Sequence, residues 1–303
     1  MVKRLRYYFG ILKMHFRESM ASRKGPAAYW TEHMVDVQPF SDAEMSLKHY
    51  AWRNAQYPGY IELMPVSGYD GKVIVDYGCG PGNDLTGFSV FSNPKRLIGM
   101  DVSPSALDAS AKRLKMHGKT VELFQIDENS NVLQIESNSV DLIHSSGVLH
   151  HCKNLQAVVK ELHRILKTGG EMQIMVYNYN SIWLHLYTAY IIQIEQGKYK
   201  GDNIFEAFRK TTDGAFCPIA WCYTPEQFIS IVEKFGFKGE FTGASTSMTE
   251  MRLLPRRFDA IENKIFPAEH REFLSELSFD KNGVPLYKGQ VAGINACFRF
   301  KKV

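Results

Sequence analysis

One glycine-rich stretch, residues 73–84, has the residue types that bind a small molecule. Residues 73–75 are apolar and β-branched, which favours a strand buried on both faces. Asp76 ends this strand and is expected to orient the following turn by accepting its N–H groups. Three glycines then occupy alternate positions, and a residue without a Cβ allows positive φ and close approach of the backbone to a ligand. Asn83 or Asp84 can cap the helix that follows.

From residue 71 onward, segments typical of strands alternate with segments typical of helices. This alternation predicts βαβ units around a mostly parallel sheet of seven strands. Ser103-Pro104 and the capping-box pattern Thr224-Pro-Glu-Gln227 predict two of the helix starts. The expected strands are 72–77, 96–101, 121–127, 140–145, 171–177, 238–243 and 293–301, and the expected helices are 82–91, 104–116, 154–166 and 225–235.

The composition is that of an ordinary globular protein of 303 residues, with 45% apolar and 22% charged residues. A net charge of +4 neither demands nor excludes an anionic partner. The five scattered cysteines favour free thiols in a reducing compartment, hence the cytoplasm, over a disulfide framework. Cys217 and Cys222 are too few for a zinc site without a second pair, so no metal is predicted.

The N-terminal segment, residues 1–24, is both basic and aromatic. It has no cleavage site after an apolar core, so a secretory signal is not expected. The chain has no run of about 18 apolar residues, so no transmembrane helix is expected either. Two interpretations stay open: a solvated lid helix, or a basic amphipathic helix in peripheral contact with a membrane or with nucleic acid.

Five motifs, in this order, resemble the class I S-adenosylmethionine-dependent methyltransferases, with a core like methyltransferase types 11 and 25. The first is Asp76-Tyr-Gly-Cys-Gly-Pro-Gly82, which has the family's acidic residue followed by alternate glycines. A dinucleotide-binding domain would space its third glycine further on. The others are Asp101 and Asp127 at strand ends, the fourth-strand motif 140–151, and the helix and turn 162–170.

The resemblance implies a Rossmann-like fold with helical cap insertions and S-adenosylmethionine as cofactor, bound at the carboxyl edge of the sheet. Asp101 would accept hydrogen bonds from the ribose hydroxyls. Asp127, with Glu128 and Asn129, would receive the adenine amino group, and the carbonyl of Ser145 would receive the ammonium. The expected cofactor-binding residues are Asp76, Gly78, Cys79, Gly80, Asn83, Asp101, Val102, Asp127, Glu128 and Ser145.

Transfer of a methyl group to a hydroxyl also requires a base that removes the proton. The resemblance points to His150 and His151, just after strand four. Adjacent residues do not easily point into one pocket, and His150 is slightly favoured; a loop histidine without catalytic role is the alternative. Arg53 could pair with the carboxylate of the cofactor. The expected acceptor-site residues are Tyr177, Asn178, Asn180, Tyr29 and Arg53.

Four segments are expected: an N-terminal helical lid, the cofactor-binding core, a helical acceptor-site insertion, and the rest of the core with a second helical insertion at 246–289. They cover residues 1–70, 71–177, 178–223 and 224–303.

The preferred hypothesis is a methyltransferase acting on a small molecule or glycan, at a hydroxyl oxygen. The alternatives are a tRNA or other nucleic-acid methyltransferase, a C-methyltransferase of a quinone-like acceptor, and a cofactor-binding protein without catalysis. Nucleic acid is disfavoured because no basic run lies beyond residue 24. The oligomeric state is left open.

Overall fold

The computed structural model describes residues 14–35, 37–128 and 132–303. Within these ranges the strands are β1 (Val73–Tyr77), β2 (Arg96–Asp101), β3 (Glu122–Gln125), β4 (Val140–Ser146), β5 (Leu166–Tyr177), β6 (Phe237–Ser245), β7 (Ser278–Phe279), β8 (Pro285–Tyr287), β9 (Gln290–Val291) and β10 (Asn295–Lys302). Seven of them form one sheet in the order β3-β2-β1-β4-β5-β10-β6. Strands β1 to β5 pair in parallel, and β10 is antiparallel to both of its neighbours. The predicted seven-stranded, mostly parallel sheet is confirmed.

Helices flank this sheet and build the two insertions, 178–222 and 246–289. The helices are α1 (14–22), α2 (Pro26–Glu32), α3 (Ala43–Ala55), α4 (Tyr60–Leu63), α5 (Asn83–Phe91), α6 (Pro104–Met116), α7 (Leu155–Ile165), α8 (Ile204–Thr212), α9 (Pro225–Glu233), α10 (Met248–Leu253), α11 (Arg257–Glu262) and α12 (Ala268–Ser275). A π-type helix, Trp183–Glu195, and the 3-10 turns Leu149–His151 and Leu254–Arg256 complete the set. No helix of the described part is long and apolar enough to span a bilayer.

Strand β1 shows why helices cover both faces of the sheet. Side chains alternate across a strand, and both Ile74 and Val75 are fully buried. Ile74 belongs to the apolar cluster that includes Phe88 of α5. Val75 belongs to the cluster on the opposite face, with Val158 of α7 and Phe228 of α9. A strand that is apolar at consecutive positions therefore lies in the middle of a three-layer fold.

Two helix starts follow their predicted capping signals. The Ser103 hydroxyl accepts a hydrogen bond from the backbone N–H of Ala106 at 3.2 Å, at the start of α6. At the start of α9, Thr224 and Gln227 form the reciprocal hydrogen bonds of a capping box. Both boundaries are set by side chains close in sequence, which is why the sequence predicts them.

Strand β5 begins at Leu166, five residues before the predicted start. Leu166 pairs with Val140, and the ladder then shifts so that Glu171 pairs with Leu142. Residues 167–170 form the irregular segment between these pairs, so the glycines of the turn expected within 162–170 belong to a bulge in a strand. The small antiparallel sheet β7-β8-β9 was not predicted, because its strands of two or three residues are too short for a clear alternation.

The two insertions pack against each other and are joined by the buried carboxylate of Glu250. It accepts hydrogen bonds from the backbone N–H groups of Ser247 (2.7 Å), Trp183 (3.0 Å) and Ile294 (3.3 Å). Burial raises the pKa of Glu250 to about 7, although these donors act in the opposite direction. One side chain thus ties α10 to the π-type helix and to the segment before β10.

Candidate functional site

A cavity of about 600 Å³ opens at the carboxyl ends of β1, β2, β4 and β5. The glycine turn and the ends of these strands form its floor. The opposite wall comes from nearer the N-terminus and consists of residues 22–26, Trp30, Met34 and Val35. Asp213, from the end of the first insertion's α8, completes the wall beside Tyr177. Ligands of open α/β sheets bind at this edge.

The glycine turn approaches its neighbours too closely for larger residues. Gly78 has φ +79°, and a Cβ at this position would lie 2.2 Å from Cγ2 of Val148. The N–H groups of Gly78 and Cys79 donate to the carbonyl of Met100, and that of Gly80 donates to the Asp101 carboxylate at 2.9 Å. The expectation that Asp76 accepts these N–H groups is therefore wrong, because β2 supplies the acceptors.

Asp101 is buried at the end of β2 and lines the cavity. One carboxylate oxygen accepts the N–H of Gly80, and the other accepts that of Ser103 at 2.8 Å. Burial raises the pKa of Asp101, and these hydrogen bonds only partly offset the effect. Since each carboxylate oxygen can accept further hydrogen bonds, Asp101 keeps acceptor capacity for a ligand's hydroxyl groups.

Asp76 lies deeper in the cavity floor and is 2% exposed. Among the described residues no hydrogen-bond partner reaches its Oδ2. Burial raises the pKa of this carboxyl to about 7. A buried carboxylate oxygen without a partner is costly, and it suits a ligand that brings its own hydrogen-bond donors.

Asp84, at the start of α5, is held by a cation. Its carboxylate accepts two hydrogen bonds from Arg53, at 3.2 and 3.4 Å, and lies 3.2 Å from Nε2 of His144. Burial would raise the pKa of Asp84, but Arg53 and His144 lower it more. Arg53 lines the cavity and lies over the Tyr60 ring. Its guanidinium is thus fixed at the site by protein partners.

The remaining cofactor-binding candidates divide between the wall and its surroundings. Asn83 and Val102 line the cavity, as do Ile126 and Glu128 on either side of the exposed Asp127. The Glu128 carboxylate accepts the N–H of Ala27 at 2.6 Å, and this hydrogen bond joins α2 to the rim of the cavity. Asn129 lies outside the described residues. The buried Ser145 donates its hydroxyl to the carbonyl of Tyr77 at 2.9 Å.

The two histidines after β4 have different environments. His151 lines the cavity, and its Nδ1 lies 2.5 Å from the carbonyl of Ile219. A carbonyl only accepts, so Nδ1 carries the proton and Nε2 is left as an acceptor, 3.6 Å from the Asp213 carboxylate. His150 is fully buried; its Nδ1 accepts the N–H of Tyr177 at 3.3 Å, and the two rings stack. Burial and then His151 hold the pKa of His150 well below its usual value.

Asp213 joins the site although no sequence motif marks it. Both of its carboxylate oxygens accept from the Tyr177 hydroxyl, at 2.8 and 2.9 Å, and its carbonyl accepts from Tyr29 at 2.5 Å. Burial, followed by Asp213, raises the pKa of Tyr177 well above its usual value. Tyr29 and Tyr177, both predicted for the acceptor site, therefore meet at one unpredicted residue, Tyr29 at its backbone carbonyl and Tyr177 at its carboxylate.

Asn178 and Asn180 shape the chain after β5. The Asn178 amide donates to the carbonyls of Gly293 (2.9 Å) and Asn180 (3.1 Å), and its oxygen accepts the N–H of Asn180. Neither residue belongs to the described cavity wall. Their observed contacts are those of a turn into the first insertion.

His151, Asp213 and Cys217 offer three ligand atoms within 4.8 Å of one another, a set that could hold a metal ion. Each of them already has a protein partner: the Cys217 thiol donates to the carbonyl of Ile219 at 3.3 Å. Burial, and then Asp213, raise the pKa of this thiol above its usual range. A neutral thiol is a hydrogen-bond donor and a poor metal ligand, so the set behaves as a hydrogen-bond network.

Residues 75–174 match the model of a family described as a methyltransferase domain. Residues 75–174 of this chain therefore form a methyltransferase domain. An uncharacterized 37.1 kDa protein in a transposon of Streptomyces fradiae is 31% identical over 104 residues, which are 34% of this chain and 29% of that protein. A malonyl-[acyl-carrier protein] O-methyltransferase of Marinomonas is 28% identical over 132 residues, 43% of this chain and 47% of that enzyme. The chain thus spans less than half the length of these curated relatives.

A solved structure shares the fold of the methyltransferase domain and its surroundings. It comes from Thermotoga maritima and is described as an S-adenosylmethionine-dependent methyltransferase, a possible histamine N-methyltransferase. The match covers 86% of this chain and 97% of that one, with a TM-score of 0.50 and 16% identity.

The residues at the cavity of the methyltransferase domain fit S-adenosylmethionine, the cofactor of such domains. The glycine turn leaves no Cβ between its backbone and a ligand. Asp101 has acceptor capacity for ribose hydroxyls, and the unpartnered Oδ2 of Asp76 suits the ammonium of the cofactor's methionine end.

Proposed function

We propose that this chain is an S-adenosylmethionine-dependent methyltransferase that moves a methyl group to a hydroxyl oxygen of a small-molecule or glycan acceptor. His151 is proposed as the general base, in preference to its neighbour His150. The observation that carries this choice is the position of His151 on the cavity wall, with Nδ1 held by the Ile219 carbonyl.

The hydrogen bonds of His151 match what a base requires. Bound S-adenosylmethionine supplies an electrophilic methyl group on a positively charged sulfur. As the acceptor oxygen attacks, its proton would pass to Nε2 of His151. The Asp213 carboxylate, 3.6 Å from Nε2, would stabilise the imidazolium that forms, and the Tyr177 hydroxyl would keep that carboxylate in place.

The cavity supports an acceptor of modest size. Its volume of about 600 Å³ must hold the cofactor together with the reacting part of the acceptor. Trp30, Tyr57, Tyr60 and Tyr177 line it, and aromatic faces with polar tips suit sugar or aromatic rings that carry hydroxyl groups.

We assign each segment a role in this reaction. Residues 1–70 are proposed as the lid and 71–177 as the cofactor-binding core. Residues 178–223, which contribute Asp213, are proposed as the acceptor-site insertion, and 224–303 as the remainder of the core. The free thiols of all five cysteines support a reducing compartment, and we propose the cytoplasm.

The test is incubation of the pure chain and S-adenosylmethionine with cell extract, followed by mass spectrometry for a product heavier by one methyl group. His151→Ala should lower turnover by about 10²- to 10⁴-fold, the usual contribution of a general base. His163→Ala, which removes a half-buried imidazole from α7, is the matched control and should keep full turnover.

Calorimetric titration with S-adenosylmethionine separates loss of the base from loss of cofactor binding. The His151→Ala variant should bind the cofactor as the unchanged chain does. Full turnover by His151→Ala would remove His151 as the base, and a chain that binds the cofactor but methylates nothing in any extract would contradict the methyltransferase proposal.

A further inference from the structure

Helix α1 exposes three large apolar side chains, of which Met14 is 49% exposed at the start of the described helix. Glu18 and Ala21 are only 5% and 7% exposed, so their side of the helix faces the body of the protein. Phe16 and Met20 are 68% and 42% exposed. They are four residues apart and therefore share one side of the helix, opposite the buried one. The outer face of α1 is apolar where a solvated helix would be polar.

The sequence continues this pattern ahead of α1. Leu5, Phe9 and Leu12 precede Phe16 at successive spacings of four, three and four residues. This is the period of a single helix face. Residues 1–13 lie outside the described part of the chain, so here the argument rests on spacing alone.

Positive charge is concentrated in the same segment. Residues 1–24 contain seven lysines and arginines and one acidic residue, a net charge of +6, whereas the whole chain has +4. The remaining residues therefore carry a net charge of −2. Arg17, Arg23 and Lys24 are exposed. An apolar face beside this charge is complementary to a surface with anionic groups over a hydrocarbon layer.

We propose that α1 docks on an anionic lipid bilayer. The outward apolar side chains would enter the headgroup region, and the basic residues would pair with anionic lipids. Nucleic acid is the other polyanion to consider, but contacts to phosphates require cations and not an apolar face. Residues 22–26 line the cavity, so docking would bring the cavity entrance close to the bilayer. This inference goes beyond the proposed reaction and does not depend on it.

Vesicle flotation with the full chain tests the docking directly. The chain should float with vesicles of equal parts phosphatidylcholine and phosphatidylglycerol, but not with phosphatidylcholine alone, and added salt should weaken the binding. The double variant Phe16→Ser, Met20→Ser should bind the anionic vesicles about tenfold more weakly because it loses apolar contact. Arg17→Glu should weaken binding by at least about fivefold.

Matched substitutions outside α1 serve as controls for non-specific adsorption to vesicles. Phe258→Ser, at a 57% exposed position of α11, and Lys160→Glu, at an exposed position of α7, should keep the unchanged affinity. Thermal unfolding midpoints equal to that of the unchanged chain would show that every variant is folded.

Two outcomes would overturn the proposal: no flotation of the unchanged chain with anionic vesicles, or equal flotation of the Phe16→Ser, Met20→Ser variant. Salt-sensitive retention of bulk transfer RNA without any vesicle binding would replace the bilayer with a nucleic-acid partner.

Discussion

At the scale of single residues, three of the carboxylates that line the cavity have different hydrogen-bond partners. Asp84 is neutralised by Arg53. Asp101 accepts two backbone N–H groups, and Asp76 leaves one oxygen without a partner among the described residues. Asp84 is thus fully paired, Asp101 keeps some acceptor capacity, and Asp76 has an oxygen available to a ligand. Their different environments give each a separate testable consequence.

Asp101→Ala should weaken binding of S-adenosylmethionine by at least about tenfold, because it removes charge-assisted hydrogen bonds to the ribose. Isothermal titration calorimetry measures the affinity. Asp108→Ala removes an exposed carboxylate of α6 that is not part of the described cavity wall, and it should change the affinity little. Unchanged binding by Asp101→Ala in a variant that unfolds normally would contradict the ribose assignment.

Asp76→Asn should stabilise the cofactor-free protein at alkaline pH while weakening cofactor binding. Burial raises the pKa of Asp76 from its ordinary 3.8 to about 7, so the folded state resists ionisation. The free energy of unfolding therefore decreases as pH rises from about 4, and it stops decreasing above about pH 7. The melting temperature of the variant should therefore exceed that of the unchanged chain near pH 8, and the two should converge near pH 4. A variant that melts lower at pH 8 would show that Asp76 has a partner.

At the scale of elements, the two insertions meet at a pair of buried histidines. Nδ1 of His185, in the π-type helix, lies 2.8 Å from Nδ1 of His270 in α12. One neutral ring donates and the other accepts. Phe273 stacks on His185, Phe266 stacks on His270, and Glu269 lies 3.4 Å from Nε2 of His270. Protonation of either buried ring would place a charge in this contact and would leave both Nδ1 atoms as donors, so the hydrogen bond between them would be lost.

Acid should therefore loosen the contact between the insertions. Burial, and then His270, lower the pKa of His185 from 6.5 to about 3, and burial lowers that of His270. The unfolded chain then binds more protons than the folded one below about pH 6.5, so stability falls as pH falls. Between pH 7 and 5, the melting temperature of the double variant His185→Phe, His270→Phe should fall less than that of the unchanged chain. An identical loss in both proteins would remove this pair as the cause.

At the scale of the whole molecule, segments distant in sequence close one cavity. The N-terminal segment reaches the rim through the contact of Ala27 with Glu128 and reaches the first insertion through Tyr29 and Asp213. A ligand in the cavity would touch residues 22–35, the glycine turn and Asp213 of the first insertion together. Binding to the folded state alone stabilises all parts that form the site.

Hydrogen exchange followed by mass spectrometry measures this coupling. S-adenosylhomocysteine, the product form of the cofactor, should slow exchange in residues 22–35 and 76–84, since both line the cavity. Residues 278–291, which contain the small sheet β7-β8-β9, are the internal control and should exchange at an unchanged rate. Protection confined to 76–84 would contradict the proposed role of the N-terminal residues as a lid over the cofactor.

The sequence by itself determined the seven-stranded sheet, the glycine turn and the approximate boundaries of most strands and helices of the core. Ser103, Thr224 and the alternate glycines act through neighbours a few residues away, and the burial of residues 73–75 is evident from their apolar run. Local signals of this kind survive in a linear sequence because the interactions they describe are local.

Only the tertiary structure decided which groups meet at the cavity. It set His151 on the wall and turned His150 inward, and it brought Asp213 from the first insertion to the Tyr177 hydroxyl. It also paired Arg53 with Asp84, and it left Oδ2 of Asp76 without a hydrogen-bond partner among the described residues. Each of these contacts joins residues whose encounter depends on how whole elements pack, and packing is decided by the complete set of buried surfaces and not by any short segment.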